Sequence, residues 1–281
     1  MKVGLVLEGG SRKCMFTAGV TDYFIDEGIT FPYVCGVSGG AHGAINFVSK
    51  QRGRLRYVLT PSRLRSGHKA HVILDGIQAE YENMCGESFY GGYPFDFKKL
   101  FESKTDFEFG LTCAETGKIV YLNERKSEKR LMKLMHGTCA LPMLFPLVEI
   151  DGKHYADGCV SNSVPFDRPF EKGCDKVIVI STKSPDDKPS DFRKERAILA
   201  PRFERRFPEL FDALMNRYDE YFHQMEEMQK LVDQGKVYVL KPEEDLCWVF
   251  ATSQERLDES YIHGYKTAVK YRKEIMDFIK D

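Results

Sequence analysis

Two short apolar runs dominate the first fifty residues, and a helical pattern follows each of them. Residues 3–7 are apolar or glycine and lead into Glu8-Gly9-Gly10, which predicts a buried strand that leaves a sheet. Residues 15–26 carry apolar side chains at helical spacing. Residues 33–35 predict a second buried strand, and residues 41–48 a second helix. This order of elements implies a parallel sheet with helices on both faces.

The alternation continues along the chain and gives way to a helical C-terminal part. Asp151-Gly152 is a strong hairpin signal, and residues 208–232 and 257–279 have the periodicity of long helices. Further strands are expected at residues 107–111, 118–122, 147–150, 154–156, 177–180 and 237–240. These elements predict an α/β fold of three layers, with a mainly parallel central sheet and a helical C-terminal extension.

A hydrophilic stretch that contains proline marks the expected boundary between the two parts. We expect a main domain at residues 1–183, a linker or loop at 184–206, and a mainly helical extension at 207–281. The sequence leaves open whether the extension covers the main domain or forms a small appendage.

Composition limits the classes of protein to which this chain can belong. Hydrophobic residues make up 42% and charged residues 30%, with a formal net charge of −1, so we expect a sizeable core and no binding to nucleic acid. The eight cysteines have no C-x-x-C spacing, which favours free thiols in a reducing compartment over disulfides or a zinc site. Neither a signal peptide nor a run of roughly 20 apolar residues is recognisable. A cytoplasmic protein is expected.

Basic residues are concentrated in one part of the chain. No acidic residue lies between Glu27 and Asp75, and this interval contains Lys50, Arg52, Arg54, Arg56, Arg63, Arg65 and Lys69. The simpler interpretation is a solvated face of the protein. The alternative is a basic rim that makes peripheral contact with anionic lipid head groups, as at the inner membrane surface.

The pentapeptide Gly36-Val37-Ser38-Gly39-Gly40 fits G-x-S-x-G, the pattern of a nucleophile elbow. Such a turn exposes the serine hydroxyl at the N-terminus of a helix, and flanking glycines let the backbone turn tightly. Because a strand is predicted before Ser38 and a helix after it, we interpret Ser38 as a nucleophile and Gly36 and Gly40 as support for the turn. The alternative is a glycine-rich turn that happens to contain a serine.

A second glycine-rich turn, at residues 8–13, opens the first helix, where exposed N–H groups can hold an anion. That anion could be a nucleotide phosphate or the oxyanion of an acyl intermediate. The nucleotide interpretation lacks a G-x-x-x-x-G-K-S/T motif and an acidic residue at the end of the second strand. The serine elbow on the neighbouring strand therefore favours an oxyanion hole.

A serine nucleophile requires a general base. His223 and His263 follow the serine but lie in helical patterns of the C-terminal part. His42 lies one turn along the helix that follows Ser38, where it would point away from a substrate. Asp157 is the better candidate, because it follows a short strand and precedes Gly158 in a turn that can aim a carboxylate across a site.

A glycine-rich turn, G-x-S-x-G and a late Asp-Gly, in this order, resemble the patatin-like phospholipase family. Further stretches carry the resemblance: residues 16–20, Thr138-Cys139-Ala140-Leu141-Pro142 with Phe145-Pro146, and Tyr155-Ala156-Asp157-Gly158 with Ser163-Val164-Pro165. Residues 1–50 and 105–183 match strongly and residues 51–105 poorly. The tail from about residue 200 is similar to the C-terminal extension of the bacterial branch.

The resemblance implies a catalytic domain of patatin-like fold and a serine acyl hydrolase of lipid esters. Ser38 and Asp157 would form a dyad that needs neither a metal nor a cofactor, and a raised pKa is expected for Asp157. The implied oxyanion and substrate-binding residues are Gly9, Gly10, Ser11 and Gly39.

The chain departs from the family's usual first motif, G-G-G-x-R-G, at three positions, which are Ser11, Lys13 and Cys14. Lys13 keeps the charge of arginine but not its fork of donors, and Cys14 narrows the approach to the loop. Cys159 also follows Asp157-Gly158, where glycine or alanine is usual.

Other functions remain open at this point. A small-ester esterase or an acyltransferase would use the same dyad, and residues 51–105 are expected to decide between them as an acyl-chain pocket or lid. A non-catalytic module that binds lipid or protein on the same scaffold is a second alternative. A nucleotide-binding domain is the least favoured, and the oligomeric state is not predicted.

Overall fold

The computed structural model describes residues 1–61, 73–184 and 186–280, and within this part eight strands form one sheet. The strands are β1 (Val3–Leu7), β2 (Tyr33–Val37), β3 (Asp106–Cys113), β4 (Ile119–Leu122), β5 (Val148–Ile150), β6 (Lys153–Asp157), β7 (Lys176–Ile180) and β8 (Val237–Leu240). All the strands expected from the sequence are confirmed, with bounds that differ by one or two residues. Asp151 and Gly152 both have positive φ, as a two-residue hairpin turn of type I′ requires.

Helices pack on both faces of this sheet. They are α1 (Cys14–Asp26), α2 (Gly39–Val48), α3 (Arg54–Leu59), α4 (Ile73–Cys85), α5 (Phe97–Phe101), α6 (Glu128–Thr138), α7 (Arg168–Glu171), α8 (Arg196–Phe203), α9 (Pro208–Asp233), α10 (Gln254–Lys270) and α11 (Arg272–Lys280). Along β1, Leu5 and Leu7 join a core cluster with Phe16 of α1, whereas Val6 joins a second cluster with Tyr221 of α9. Alternate residues of one strand are thus buried on opposite faces, which confirms the layered α/β fold.

The sheet is parallel at its centre and antiparallel at one side. β1 pairs in parallel with β2 and β7, β2 with β3, and β7 with β8. The pairs β3–β4, β3–β6 and β5–β6 are antiparallel. Hydrogen-bonded neighbours connect the strands in the order β5-β6-β3-β2-β1-β7-β8, with β4 also on β3.

β2 and β6 reach the same edge of β3 from opposite directions. Residues 109–110 of β3 pair with both β2 and β4, so those two strands lie on opposite edges of β3. Residues 111–112 pair with both β4 and β6, so β6 shares the edge that β2 occupies. Val37 ends β2 opposite residue 110, and Asp157 ends β6 opposite residue 111. The residue after Val37 therefore meets the end of β6.

The C-terminal region is part of the same packed structure. β8 extends the sheet, and Tyr261 of α10 donates a hydrogen bond of 2.9 Å to Asp22 of α1. The prediction of a single helix at residues 257–279 is wrong. The chain leaves helical geometry at Tyr271 (φ −98°, ψ 21°) and then starts a second helix. Periodicity hides this break, since both helices bury apolar side chains in the core, among them Ala268 and Ile275.

The stretch expected as a linker or loop, residues 184–206, contains α8 and buries Phe192, Leu199 and Phe203. Within the described residues, no helix has the length and apolar character needed to cross a bilayer.

Among the described residues of the basic interval, Arg54 does not lie on a solvated face. Arg54 is fully buried, where it donates to Asn46 Oδ1 and to two backbone carbonyls and lies over the rings of Phe89 and Phe95. Arg52 and Arg56 form ion pairs with acidic side chains of α1 and α10. Lys50 is exposed, and the other basic residues of the prediction, Arg63, Arg65 and Lys69, lie outside the described residues.

Candidate active site

Ser38 occupies a sharp turn between β2 and α2. Its backbone angles, φ 55° and ψ −126°, are strained for a residue with a side chain. The turn also forces close backbone packing, because a Cβ on Gly36 would lie 2.3 Å from the carbonyl oxygen of Gly40. A Cβ on Gly40 would lie 2.2 Å from the carbonyl oxygen of Leu7. This is the geometry of a nucleophile elbow.

Ser38 and Asp157 contact each other directly. Ser38 Oγ donates a hydrogen bond of 2.8 Å to Asp157 Oδ2. Their meeting follows from the sheet, because β2 and β6 end at neighbouring positions on one edge of β3. Ser38 is 8% exposed and Asp157 is 5% exposed, so the pair lies just below the protein surface.

The Asp157 carboxylate is fixed by a second hydrogen bond and destabilised by its surroundings. Its Oδ1 accepts from the backbone N–H of Cys159 at 2.8 Å, and its backbone carbonyl accepts from Thr112 Oγ1 at 2.9 Å. Burial raises the pKa of Asp157, although the hydrogen bonds from Cys159 and Ser38 and the charge of Arg217 oppose this shift. The direction is the one expected for a general base that must accept a proton near neutral pH.

The glycine-rich turn lies against the elbow. If Gly39 carried a Cβ, that atom would lie 3.2 Å from the nitrogen of Ser11. Gly10 and Ser11 open a 3₁₀ turn that leads into α1, and Gly39 is the first residue of α2, so their N–H groups have no acceptor within their own helices. The N–H of Gly9 instead points to the carbonyl oxygen of Ser163 at 3.4 Å. The geometry therefore favours Gly10, Ser11 and Gly39 as anion donors.

The departures from the family motif fit their surroundings. Cys14 Sγ lies 2.7 Å from the place where a Cβ of Gly39 would be, and Cys159 Sγ lies 2.3 Å from the equivalent place at Gly9. Each cysteine thus fills space that a facing glycine leaves open. Lys13 forms a partly buried ion pair with Asp187, which lowers the pKa of that carboxylate against the opposing effect of burial.

Two residues that support the site were not singled out from the sequence. Thr138 Oγ1 accepts from the N–H of Ser38 at 2.9 Å and donates to the carbonyl oxygen of Gly110 at 2.7 Å. Glu8, fully buried, accepts hydrogen bonds from Ser181 Oγ and from the N–H of Thr182. Thr138 thus supports the elbow, and Glu8 anchors the glycine-rich turn to the end of β7. Both residues lie in stretches of sequence that resemble the family, but their hydrogen bonds cannot be inferred from the spacing of residues in the sequence.

The histidines take other places. His42 is fully buried with its Nε2 3.7 Å from Cys85 Sγ, and burial lowers its pKa to about 3. His263 Nε2 accepts from the N–H of Glu243, and His223 is exposed on α9. None of these contacts involves Ser38.

Cys139 lies next to Ser38 and Asp157. Its pKa is raised by contact with Cys85, by burial and by the charge of Asp157, while the Ser38 hydroxyl lowers it.

Comparison with protein families gives a match over more than half of the chain. The family model described as patatin-like phospholipase matches residues 5–170. The chain belongs to the patatin-like phospholipase family. The matched region contains the glycine-rich turn, the serine elbow and Asp157. A second model, for a domain of unknown function (DUF6363), matches residues 207–280, which is most of the C-terminal extension of this patatin-like chain.

Individual relatives are distant. The uncharacterized protein YjjU of Escherichia coli K12 is 23% identical over 188 residues, which cover 64% of this chain and 52% of that protein. The structure of VipD from Legionella pneumophila aligns with a TM-score of 0.49 at 12% identity, over 96% of this chain and 66% of that one. The type III effector protein ExoU gives 0.43 at 13% identity, over 97% and 53%. This chain thus spans about half to two thirds of the length of these proteins.

Proposed function

We propose that this protein is a lipid acyl hydrolase in which Ser38 is the nucleophile and Asp157 the general base. The observation that carries the proposal is the hydrogen bond of 2.8 Å from Ser38 Oγ to Asp157 Oδ2 at the strained elbow. Membership of the patatin-like phospholipase family supports a lipid ester as the substrate.

The reaction proceeds by acyl transfer through a covalent intermediate. Ser38 Oγ attacks the ester carbonyl carbon while Asp157 accepts its proton, and the oxyanion binds the N–H groups of Gly10, Ser11 and Gly39. Collapse of this tetrahedral oxyanion leaves the acyl-enzyme and releases the alcohol, which takes the proton from Asp157. A water molecule then attacks the acyl-enzyme, gives a proton to Asp157, and releases the fatty acid as that proton returns to Ser38.

One exposed aromatic residue marks the side from which lipid approaches in this proposal. Trp248 is the single tryptophan and is 66% exposed. Its loop is tied to the oxyanion turn, because Ser11 Oγ donates to the carbonyl of Val249 at 2.9 Å and Arg12 to that of Ala251 at 2.7 Å. Indole rings favour the interface between water and membrane. Peripheral contact with an anionic membrane and a cytoplasmic location stay predictions.

The proposal is tested by fatty-acid release from lysophospholipid, from phospholipid vesicles and from p-nitrophenyl esters. We expect turnover in the wild type, loss in Ser38→Ala and a large decrease in Asp157→Asn. Two matched controls change buried residues of the same type elsewhere, Ser88→Ala and Asp22→Asn, and these are expected to retain activity.

The substrate ranking separates the remaining functions. Preference for long-chain lipid supports the lipid hydrolase, preference for short esters identifies a small-ester esterase, and transfer to an added alcohol in place of water identifies an acyltransferase. A folded wild type that turns over none of these esters would refute the hydrolase and leave a non-catalytic binding module. Addition of anionic or neutral vesicles also tests the membrane contact, since Trp248 emission is expected to move to shorter wavelength with anionic vesicles.

A further inference from the structure

A buried cluster of one histidine and two cysteines lies beside the proposed dyad and takes no part in the proposed mechanism. His42 comes from α2, Cys85 from the end of α4, and Cys139 from the residue that follows α6. Their potential ligand atoms all lie within 4.8 Å of one another. We propose that His42, Cys85 and Cys139 form a binding site for a thiophilic transition-metal ion, with Zn²⁺ as the ion of best fit.

The spacing of these atoms suits tetrahedral coordination. Zn–S bonds of about 2.3 Å and Zn–N bonds of about 2.05 Å at a tetrahedral angle place a sulfur and a nitrogen ligand about 3.6 Å apart. The observed distance between Cys85 Sγ and His42 Nε2 is 3.7 Å. Cys85 Sγ and His42 Nε2 therefore have the separation of two ligands of one tetrahedral ion, and Cys139 Sγ lies within 4.8 Å of both.

The cluster is also poorly satisfied by hydrogen bonds. Among the described residues, Nδ1 of the buried His42 has no hydrogen-bond partner, and Nε2 meets only the Cys85 sulfur. Cys85 donates a weak hydrogen bond of 3.6 Å to the carbonyl oxygen of Met135. Buried polar groups normally have partners, and a metal ion on Nε2 would replace the weak thiol contact as the partner of that nitrogen.

The types of ligand select the metal. Two thiolates and one imidazole favour Zn²⁺ or Cu(I) and disfavour Mg²⁺ and Ca²⁺, which prefer oxygen. Three protein ligands leave one tetrahedral position for water or another group. Binding of Zn²⁺ releases the two thiol protons to solvent, so the two positive charges of the ion replace those of the protons and the net charge of the site is unchanged.

The site is linked to the dyad through Cys139. Cys139 directly follows Thr138, whose hydroxyl accepts a hydrogen bond of 2.9 Å from the N–H of Ser38. A metal ion on Cys139 would therefore hold the residue next to the one that supports the elbow. Metal binding itself does not depend on the proposed activity.

The test measures metal binding first and reactivity second. Protein expressed with added Zn²⁺ is analysed for bound metal, and chelator-treated protein is titrated with Co²⁺ and then with Zn²⁺. We expect one metal per chain and an intense near-ultraviolet band from Co²⁺–thiolate charge transfer, which Zn²⁺ removes. His42→Gln, Cys85→Ala and Cys139→Ala should each weaken binding by more than about 100-fold, since loss of a mere supporting partner of a metal ligand already costs 10–100-fold.

A matched control keeps this result specific. Cys35→Ala removes a cysteine that is equally buried but belongs to a different core cluster, and it should leave the Co²⁺ band unchanged. Circular dichroism of each variant shows that it is folded. A folded wild type that binds no metal, or a Co²⁺ spectrum that lacks the thiolate band or survives in all three ligand variants, would overturn the proposal. Labelling of Ser38 by a fluorophosphonate is a separate readout, so its absence would refute the hydrolase and not the metal site.

Discussion

The strain at Ser38 gives a prediction about stability that does not depend on activity. Ser38→Gly and Ser38→Ala remove the same hydroxyl, and the two variants differ by one methyl group. A side chain at φ 55° and ψ −126° costs about 1–3 kcal/mol in backbone strain, which glycine does not incur. The comparison of the two variants isolates this strain.

The magnitude follows from three contributions. Compared with the alanine variant, the glycine variant has a lower free energy of unfolding for two reasons. The greater freedom of its unfolded chain costs about 0.4–1 kcal/mol, and the missing buried methyl group costs about 0.8 kcal/mol. Release of about 2 kcal/mol of strain offsets these losses, so the two variants should have nearly equal stability. At Ala44 of α2, a buried position with ordinary helical geometry, the change to glycine should cost about 2 kcal/mol.

Thermal unfolding of the four proteins provides the assay: Ser38→Ala, Ser38→Gly, wild type and Ala44→Gly. A difference of about 2 kcal/mol between the two sites corresponds to roughly 3–4 °C in Tm for a chain of 281 residues. If glycine in place of alanine at position 38 destabilises as much as Ala44→Gly does, the elbow is not strained, and the geometric argument for Ser38 is refuted.

Three other perturbations have expected outcomes. Gly40→Ala places a Cβ 2.2 Å from the Leu7 carbonyl oxygen and should lower the free energy of unfolding by about 3 kcal/mol. The control Gly28→Ala, in open space at φ 69°, should lower it by about 1–2 kcal/mol. Equal losses of the two variants in urea titration would contradict this prediction. Arg54→Met leaves the acceptors of this buried side chain unpaired and should lower the free energy of unfolding by about 3 kcal/mol. The control Arg52→Gln, at a surface ion pair, should lower it by under about 1 kcal/mol. Similar Tm values of the two variants would contradict the buried role of Arg54. Burial raises the folded-state pKa of Asp157, so its contribution to stability is present below the unfolded pKa of about 3.9 and is lost as pH rises through the folded pKa. Asp157→Asn should therefore gain in Tm relative to wild type on going from pH 3 to pH 8, and a difference that does not change with pH would contradict this.

Much of the fold could be predicted from the sequence because local signals agreed with the tertiary structure. The strands were marked by apolar runs bounded by glycine, and the hairpin by Asp151-Gly152, whose backbone angles match the turn. The break at Tyr271 could not be predicted, since neither glycine nor proline marks it and the apolar periodicity continues on both sides. Burial of Arg54 was also hidden, because two of its hydrogen-bond acceptors lie 39 and 34 positions further along the chain.

The residues of the candidate site could be proposed from the sequence, but the contacts between them could not. Ser38 stands in a local motif, whereas its contact with Asp157 depends on β2 and β6 meeting on one edge of β3. Thr138 could not be assigned, because its role is a hydrogen bond to a residue 100 positions away. The cluster of His42, Cys85 and Cys139 has no metal-ligand spacing in sequence, since its members lie 43 and 54 positions apart.

The most direct test of the central claim is to identify the residue that a fluorophosphonate modifies, by mass spectrometry of peptides from the labelled protein. The predicted result is a single phosphonyl adduct on Ser38, absent in Ser38→Ala and formed much more slowly in Asp157→Asn, with Asp22→Asn labelled at the wild-type rate. An adduct on another serine that persists in Ser38→Ala, or a folded wild-type protein that is not labelled, would contradict the assignment of Ser38 as the nucleophile.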